Sequence, residues 1–444
     1  MEEIPLIAYD SPDSVVAYRG GTPITARQFL ADARALAALL PAGGHVLNAC
    51  ADRYRFAVGL AAGLIAGKTS LLPPTHVPEV IRHLRSFAPD AFCLTDDEAS
   101  EIGLPLVHYP TQPAPPAVGW NVPAIAAGQR VAYVFTSGST GTPVPHQKTW
   151  ARLVADVRIE AERLGLRGDR RHVVVATVPP QHMYGFESSV LLALQSGQAF
   201  CAERPFYPAD IAAVLAAVPP ARVLVTTPVH LRALLAAEIA LPELDLVVCA
   251  TAPLEATIAA QVEARFGAPL VEIYGSTETG QIASRRTTHC AEWQLWPGVS
   301  LGQRDGRIWA EGGHIEAPTP LGDVVEIRPA GRFVLHGRAE DLVNIAGKRS
   351  SIAYLNHQLT AIPGVVDGAF FLPEQPADHS ATGTARLGAV VVAPGLTADA
   401  IIRELRERVD PVFLPRPLLI VERMPRNSTG KLPRAVLRSL TART

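Results

Sequence analysis

Short apolar runs alternate with longer helical ones through the middle of the chain. "VAYVF" from Val131, "HVVVAT" from His172, "RVLVTT" from Arg222, "LDLVVCA" from Leu244 and "LVEIYG" from Leu270 are dominated by β-branched and apolar residues and predict strands. "WARLVADVRIEAERL" and "LEATIAAQVEARF" repeat their apolar positions at helical spacing. Parallel neighbours cannot be joined by a tight turn, so the alternation predicts an α/β fold with helices covering mostly parallel sheets. Nearer the start, "TPITARQFLADARALAALL" predicts a helix capped by Thr25. "FAVGLAAGLIAG" from Phe56 predicts a buried helix, too short for the roughly 20 residues that a membrane span takes.

The rhythm changes after about Gly298. "GRIWAEGGHIEAP" and "GDVVEIRPAGRFVLHGRAEDLV" predict short antiparallel strands joined by glycine turns. A helix ("SIAYLNHQLTAI"), two strands ("GVVDGAFFL", "RLGAVVVAP"), a helix ("ADAIIRELRERV") and a strand ("LLIVERM") follow, a set able to bury a small core of its own. Charges and a glycine interrupt the apolar pattern at Arg338–Asp341, which divides the chain into domains 1–338 and 339–444.

The 444 residues suffice for two or more domains, and an apolar content of 48% for a large core. A net charge of −2 argues against nucleic acid as a main partner. Five cysteines (Cys50, Cys93, Cys201, Cys249 and Cys290) are odd in number and lack CxxC spacing, which predicts buried thiols in a reducing compartment. "MEEIPLIAYD" is acidic where a signal peptide is basic, so the expectation is a soluble, cytoplasmic protein with no membrane partner; the oligomeric state is left open.

Four stretches carry candidate chemistry. In "TSGSTG", Thr136, Ser137, Ser139 and Thr140 supply hydroxyls, while Gly138 and Gly141 let backbone N–H groups turn toward an anion; an ordinary polar turn is the alternative. The Walker pattern GxxxxGK[ST] does not fit, because no Gly-Lys pair closes the loop. In "EIYGSTETG", Tyr274 could lay its ring on a flat base and Glu278 could hold Mg²⁺, a hard cation that takes carboxylate and phosphate oxygens; a plain strand end is the alternative. The stretch from Leu321 to Arg349 offers Asp323 to ribose hydroxyls and Arg338 to a phosphate or sugar, or else a surface ion pair. "PRNSTGKLPR" sets Lys431 in a glycine-bounded turn, where a lysine is either solvated or carried into a distant site.

The order of these motifs resembles that of the adenylate-forming superfamily of acyl-CoA synthetases, peptide-synthetase adenylation domains and luciferases. The likeness covers nearly the whole chain, and "TSGSTG" and "YGSTE" are its most specific parts. It implies a large N-terminal domain (1–338) of helix-covered, mostly parallel sheets with a distorted β-barrel, and a small mobile α+β C-terminal domain (339–444). It also implies two half-reactions. A small carboxylic acid attacks the α-phosphate of Mg²⁺·ATP to give an acyl-adenylate and pyrophosphate. A thiol, from coenzyme A or the phosphopantetheine of an acyl carrier protein, then displaces AMP.

By that resemblance Thr136, Ser137, Gly138, Ser139, Thr140 and Gly141 would hold the β- and γ-phosphates, with Thr140 and Glu278 orienting Mg²⁺. Tyr274, followed by Gly275, Ser276 and Thr277, would stack on adenine, and Thr251, Ala252 and Pro253 of "ATAPL" would line its other side. Asp323 would bind the ribose, with Arg338 nearby. Lys431 would bridge the carboxylate and the α-phosphate, and the small domain would turn about Glu340 to exchange it for "NIAGKR". "PPQHMYG" would place His182 beside the acyl pocket as a gate on the thiol tunnel; a histidine packed at a strand end is the alternative.

Four departures qualify the likeness. Val144 stands where the family carries a lysine, leaving Lys148 or His146 to reach the phosphates, and Leu321 replaces the threonine before Gly322 and Asp323. The stretch from Gly280 to Asp323 is compressed, and "SSIAYLN" lacks the usual glutamates. The last two tilt the acceptor toward a carrier protein. An ATP- or AMP-binding sensor without turnover, and an adenylate-forming enzyme with an internal nucleophile of the β-lactone type, are the alternative functions. Phe186, Val225, Thr226, Ala252, Ser276 and Gln281, small or apolar, are the acyl-pocket candidates and weakly disfavour an amino acid.

Overall fold

All five runs that predict strands form them: Arg130–Ser137, Val173–Ala176, Arg222–Thr226, Leu246–Cys249 and Leu270–Ser276. The computed structural model describes residues 2–116, 119–137, 143–338, 342–345, 348–372, 387–424, 426 and 432. Contacts divide the chain into two units, Met1–Gly302 with Trp309–Thr319, and Gln303–Ile308 with Pro320–Thr444.

In the first unit, the last four of these strands lie side by side in parallel, with Val174 opposite Val223, Val225 opposite Val248 and Val248 opposite Val271. Helices Pro208–Ala217, Pro228–Ala236 and Ala256–Phe266 supply crossovers. Their apolar faces (Ile211, Leu215, Leu231, Leu234, Ala259, Val262) close over Val173, Val175, Leu224, Val247 and Leu270. Strand residues with no polar side chain on either face need such cover, which is why these runs read as uninterrupted.

Arg130–Ser137 belongs to another sheet. It runs parallel to Thr69–Leu72 on one side and antiparallel to Pro143–Thr149 on the other. Thr25 caps the helix Ala26–Leu39, its side chain accepting from Gln28 N, and the apolar run after Asp52 forms the buried helix Arg53–Ile65. Among the described residues no helix is long and apolar enough to cross a membrane.

The second unit has the predicted helix Ile352–Thr360, the antiparallel pair Asp367–Phe371 and Gly388–Val392, the helix Ala398–Arg406, and Leu418–Ile420 parallel to Gly388–Val392. Leu355, Leu359, Phe370, Val391, Ile401 and Leu405 make its core.

Two expectations need correction. Among the described residues the sheets are open and none closes into a barrel. Four cysteines are buried free thiols, but Cys290 is exposed, in the turn after the strand Gly280–Arg285.

Candidate functional site

The strands that flank "TSGSTG", Arg130–Ser137 and Pro143–Thr149, pair as a β-hairpin. Pro143 pairs with Ser137 and Val144 with Thr136, so a strand follows the motif and the helix Trp150–Arg163 begins only afterwards. Gly138, Ser139, Thr140 and Gly141, and the Ser137 side chain, lie outside the described residues. Strand alternation places His146 and Lys148 on one face of Pro143–Thr149. His146 Nε2 is 2.9 Å from Thr136 Oγ1. Val144, where a phosphate-binding lysine was absent, is exposed.

"YGSTETG" is a hairpin turn, and its glycines are dictated by clearance. The strands Leu270–Ser276 and Gly280–Arg285 pair antiparallel with a register shift between Tyr274 and Gly275, a bulge that redirects the turn. A Cβ on Gly275 would stand 2.2 Å from the Gly280 carbonyl oxygen. Gly280 has φ +73°, and a Cβ there would stand 2.6 Å from Asp156 Oδ2. Ser276 N donates to Thr279 Oγ1 (3.1 Å) and Thr279 N to Ser276 Oγ (3.2 Å), which ties the turn across its base. Tyr274 is half-buried, its ring centroid 5.5 Å from that of Trp293.

The two hairpins meet. His146 Nε2 lies 3.5 Å from Glu278 Oε1, and Lys148 Nζ donates to the Glu278 carbonyl at 3.2 Å across 130 residues of sequence. Burial holds His146 below the usual imidazole range, so near neutral pH the ring carries no charge. Lys148 is only 4% exposed. It belongs to a buried polar cluster.

That cluster comprises Asp156 and Glu160 from the helix Trp150–Arg163, Glu187 from the π-turn Phe186–Leu191, and His314. Asp156 Oδ1 is 3.5 Å from His314 Nε2, Gln281 N donates to Asp156 Oδ2 (3.4 Å), and Gln281 Nε2 donates to Ser188 Oγ (2.8 Å). Burial first, then the facing Glu187, drives the Asp156 carboxyl far above the ordinary range. Burial also raises Glu187, restrained by its hydrogen bond with Asp156 and by the Lys148 charge. Burial and then Lys148 push His314 down to about 4. The sequence reading missed this cluster. Its one legible trace is Asp156 and Glu160, one helical turn apart among the apolar positions Leu153, Val157 and Ala161.

The other predicted residues of the first unit stand at the carboxyl ends of the parallel strands, where open α/β sheets bind ligands. Thr251, Ala252 and Pro253 follow Leu246–Cys249 and are exposed. Thr251 has φ +83°, a costly conformation for a β-branched residue, of the kind that gathers at binding sites. His182 follows Val173–Ala176 and leads into the short helix Met183–Gly185, where a Cβ on Gly185 would stand 2.1 Å from the Pro179 carbonyl oxygen. Gly275 and Ser276 are exposed, Thr277 half-buried. Of the acyl-pocket candidates, Phe186, Val225, Thr226 and Gln281 are buried, while Ala252 and Ser276 are exposed.

In the second unit Asp323 and Arg338 are cross-strand partners in the hairpin Asp323–Arg328 and Arg332–Arg338. Glu340, Ala346, Gly347 and Lys431, and the side chains of Arg338 and Lys348, lie outside the described residues. A cleft of about 420 Å³ lined by Arg19, Asp32, Tyr54, Arg55 and Tyr109 contains none of the predicted residues. Its charges are already engaged, Arg19 with Asp52 and Asp32 with Tyr54.

The residues present fit Mg²⁺. Among the described residues no group of three or more His, Cys, Asp or Glu side chains could hold a metal as a cage. Mg²⁺ asks for less, one or two carboxylates with water and substrate phosphate, and the partly exposed Glu278 carboxylate beside a neutral imidazole offers that.

The architecture is that of adenylate-forming enzymes. The o-succinylbenzoate CoA synthetase (MenE) of Bacillus subtilis, solved with its acyl-adenylate intermediate, superposes with a TM-score of 0.82 at 17% identity, covering 99% of each chain. Residues 7–306 match the family of AMP-binding enzymes, and the chain belongs to that family. A 4-coumarate–CoA ligase of Rhodobacter capsulatus is 32% identical over 230 residues, 52% of this chain. That alignment spans only 57% of the ligase's own length. A 4-coumarate–CoA ligase of Halorhodospira halophila is 28% identical over 312 residues, 67% of this chain and 73% of that one.

Proposed function

We propose that the protein is an ATP-dependent acid–thiol ligase. An oxygen of a small carboxylic acid attacks the α-phosphorus of ATP, the bond to the β-phosphate oxygen breaks, and pyrophosphate leaves. The sulfur of a thiol then attacks the acyl carbon, its proton is lost, and AMP departs with the former carboxylate oxygen. The observation that carries this reading is the junction of the two hairpins through His146, which brings a hydroxyl at Thr136 and the carboxylate of Glu278 to one imidazole.

In this reading the turn from Thr136 to Gly141 receives the β- and γ-phosphates, with Thr140 and Glu278 holding Mg²⁺. The bound cation would neutralise phosphate charge as the α-phosphate is attacked. Tyr274 with Gly275, Ser276 and Thr277, and Thr251 with Ala252 and Pro253, take the adenine from adjacent parallel strands. Asp323 and Arg338 take the ribose, His182 guards the acyl site, and Lys431 in a lid domain from residue 339 onward offsets charge at the α-phosphate. Loss of such a contact costs about 100- to 1,000-fold in rate. The 4-coumarate–CoA ligases among the relatives support coenzyme A as acceptor. The altered "SSIAYLN" stretch keeps a carrier-protein phosphopantetheine beside it.

The test is ATP–pyrophosphate exchange across aryl, short-chain and long-chain acids, followed by mass spectrometry with each thiol supplied separately. Exchange with a subset of acids is expected, and Lys431→Ala should lower it about 100-fold or more while sparing thiol transfer from a supplied acyl-adenylate. Tight ATP binding with no exchange for any acid would overturn the ligase reading in favour of a nucleotide sensor.

A further inference from the structure

The buried cluster touches the second hairpin on both sides of Glu278's neighbours. On one side Lys148 donates to the Glu278 carbonyl. On the other, Asp156 accepts from the Gln281 amide. Between them Gly280 rests against the two carboxyl groups so closely that a Cβ would stand 2.6 Å from Asp156 Oδ2 and 3.1 Å from Glu187 Oε1. Thr279, 1% exposed, bonds back to Ser276. The turn is thus gripped at residues 278, 280 and 281 by side chains from the strand Pro143–Thr149, the helix Trp150–Arg163 and the π-turn Phe186–Leu191.

A lysine buried this deeply is costly unless it is paired, and pairing alone would be met by any nearby carboxylate. Glu187 supplies the countercharge here, with Glu316 and Glu278 further contributors. The hydrogen bond of Lys148, however, goes to a main-chain carbonyl of the motif. A donor spent on the backbone of one turn residue fixes where that residue's side chain starts. The same strand face then brings His146 to the carboxylate of that residue.

We propose that Lys148, braced by the Asp156–Glu187 carboxyl pair, is a positioning residue for Glu278, fixing the turn so that its carboxylate meets the Mg²⁺ of bound Mg²⁺·ATP. The inference rests on the reading of Glu278 as the cation's carboxylate. Lys148 does not touch the nucleotide. It works where a lysine on the phosphate turn is absent, by holding the second hairpin in place of contacting the first hairpin's ligand.

The test uses the full chain and three readouts: the Mg²⁺ concentration that half-saturates ATP binding followed by tryptophan fluorescence, the thermal midpoint, and amide exchange of the segment 277–281. Lys148→Met should raise the Mg²⁺ requirement at least tenfold, speed exchange in 277–281 and lower the midpoint, with ATP binding in EDTA unchanged. Adding Glu187→Gln to Lys148→Met removes the uncompensated carboxylate, so the double variant should regain the midpoint yet keep the raised Mg²⁺ requirement. Recovery of both in the double variant overturns the positioning role and leaves charge compensation. A folded Lys148→Met with wild-type Mg²⁺ requirement overturns it too. Glu278→Gln separates the two claims: if that variant keeps the wild-type requirement, the metal assignment itself falls. A shift in Glu278→Gln without one in Lys148→Met overturns the positioning role alone.

Discussion

The two units bury different kinds of residue. The interior of the first holds Lys148, Asp156, Glu160, Glu187 and His314, each 4% exposed or less. Among the described residues of the second no ionisable side chain is buried, and its core is built from Leu355, Leu359, Phe370, Val391, Ile401 and Leu405. The second unit needs only apolar area to fold. The first accepts a desolvation cost of several kcal/mol per ion, and it does so directly beneath the turn that carries Glu278. Beneath that turn the buried polar groups fix a direction, through Lys148 to the Glu278 carbonyl and Asp156 to the Gln281 amide.

The largest expected effect separates the units by pH. Burial, reinforced by Glu187 and eased by Ser188 and Gln281, raises Glu160 to about 8, against about 4.3 in an unfolded chain. Between those values the folded form keeps a proton that the unfolded form has lost, so stability falls as pH rises through the window, by on the order of 4 kcal/mol. Urea midpoints of the first unit at pH 5, 6.5 and 8 should therefore decline, and Glu160→Gln should flatten the decline. Identical slopes in variant and wild type would show that the carboxyl is not buried as described. The transition of the second unit should lack the slope.

Next in size, Leu355→Ala removes a fully buried core side chain and should cost the second unit about 3 kcal/mol. If the urea midpoint of the first unit falls in parallel, the units are not energetically separate. The smallest effect makes the finest comparison, because each unit has a helix capped by the same residue type. Thr25 accepts from Gln28 N and Thr397 from Ala400 N, both at 3.3 Å. Replacing either with alanine should cost about 1 kcal/mol, in the unit that contains it and not in the other. A shift of both transitions by one substitution would merge them.

Much of this architecture is legible in the sequence, and the illegible part has a physical reason. The strand at Leu246–Cys249 declares itself because both its faces are covered, leaving no polar position to confuse the pattern. Thr25 declares its helix because a cap is a local bond between neighbours. "TSGSTG" and "YGSTE" stand out as hydroxyl- and glycine-rich interruptions, and the strand Pro143–Thr149 that follows the first has no alternating apolar pattern to announce it. Lys148 gives no such signal. A lysine in "PHQKTW" reads as a candidate to reach the phosphates, and its burial depends on Asp156, Glu187 and His314 arriving from three other elements. Long-range electrostatic partnership leaves no periodic trace, so only the tertiary structure exposes it.

One imidazole touching both hairpins has a thermodynamic corollary. Any ligand that changes the distance from His146 to Thr136 does work on Glu278 as well, and the reverse transfer must be equal. Occupancy at the hydroxyl-rich turn and occupancy at the carboxylate are then linked functions, each scaling the other's binding constant by one shared factor.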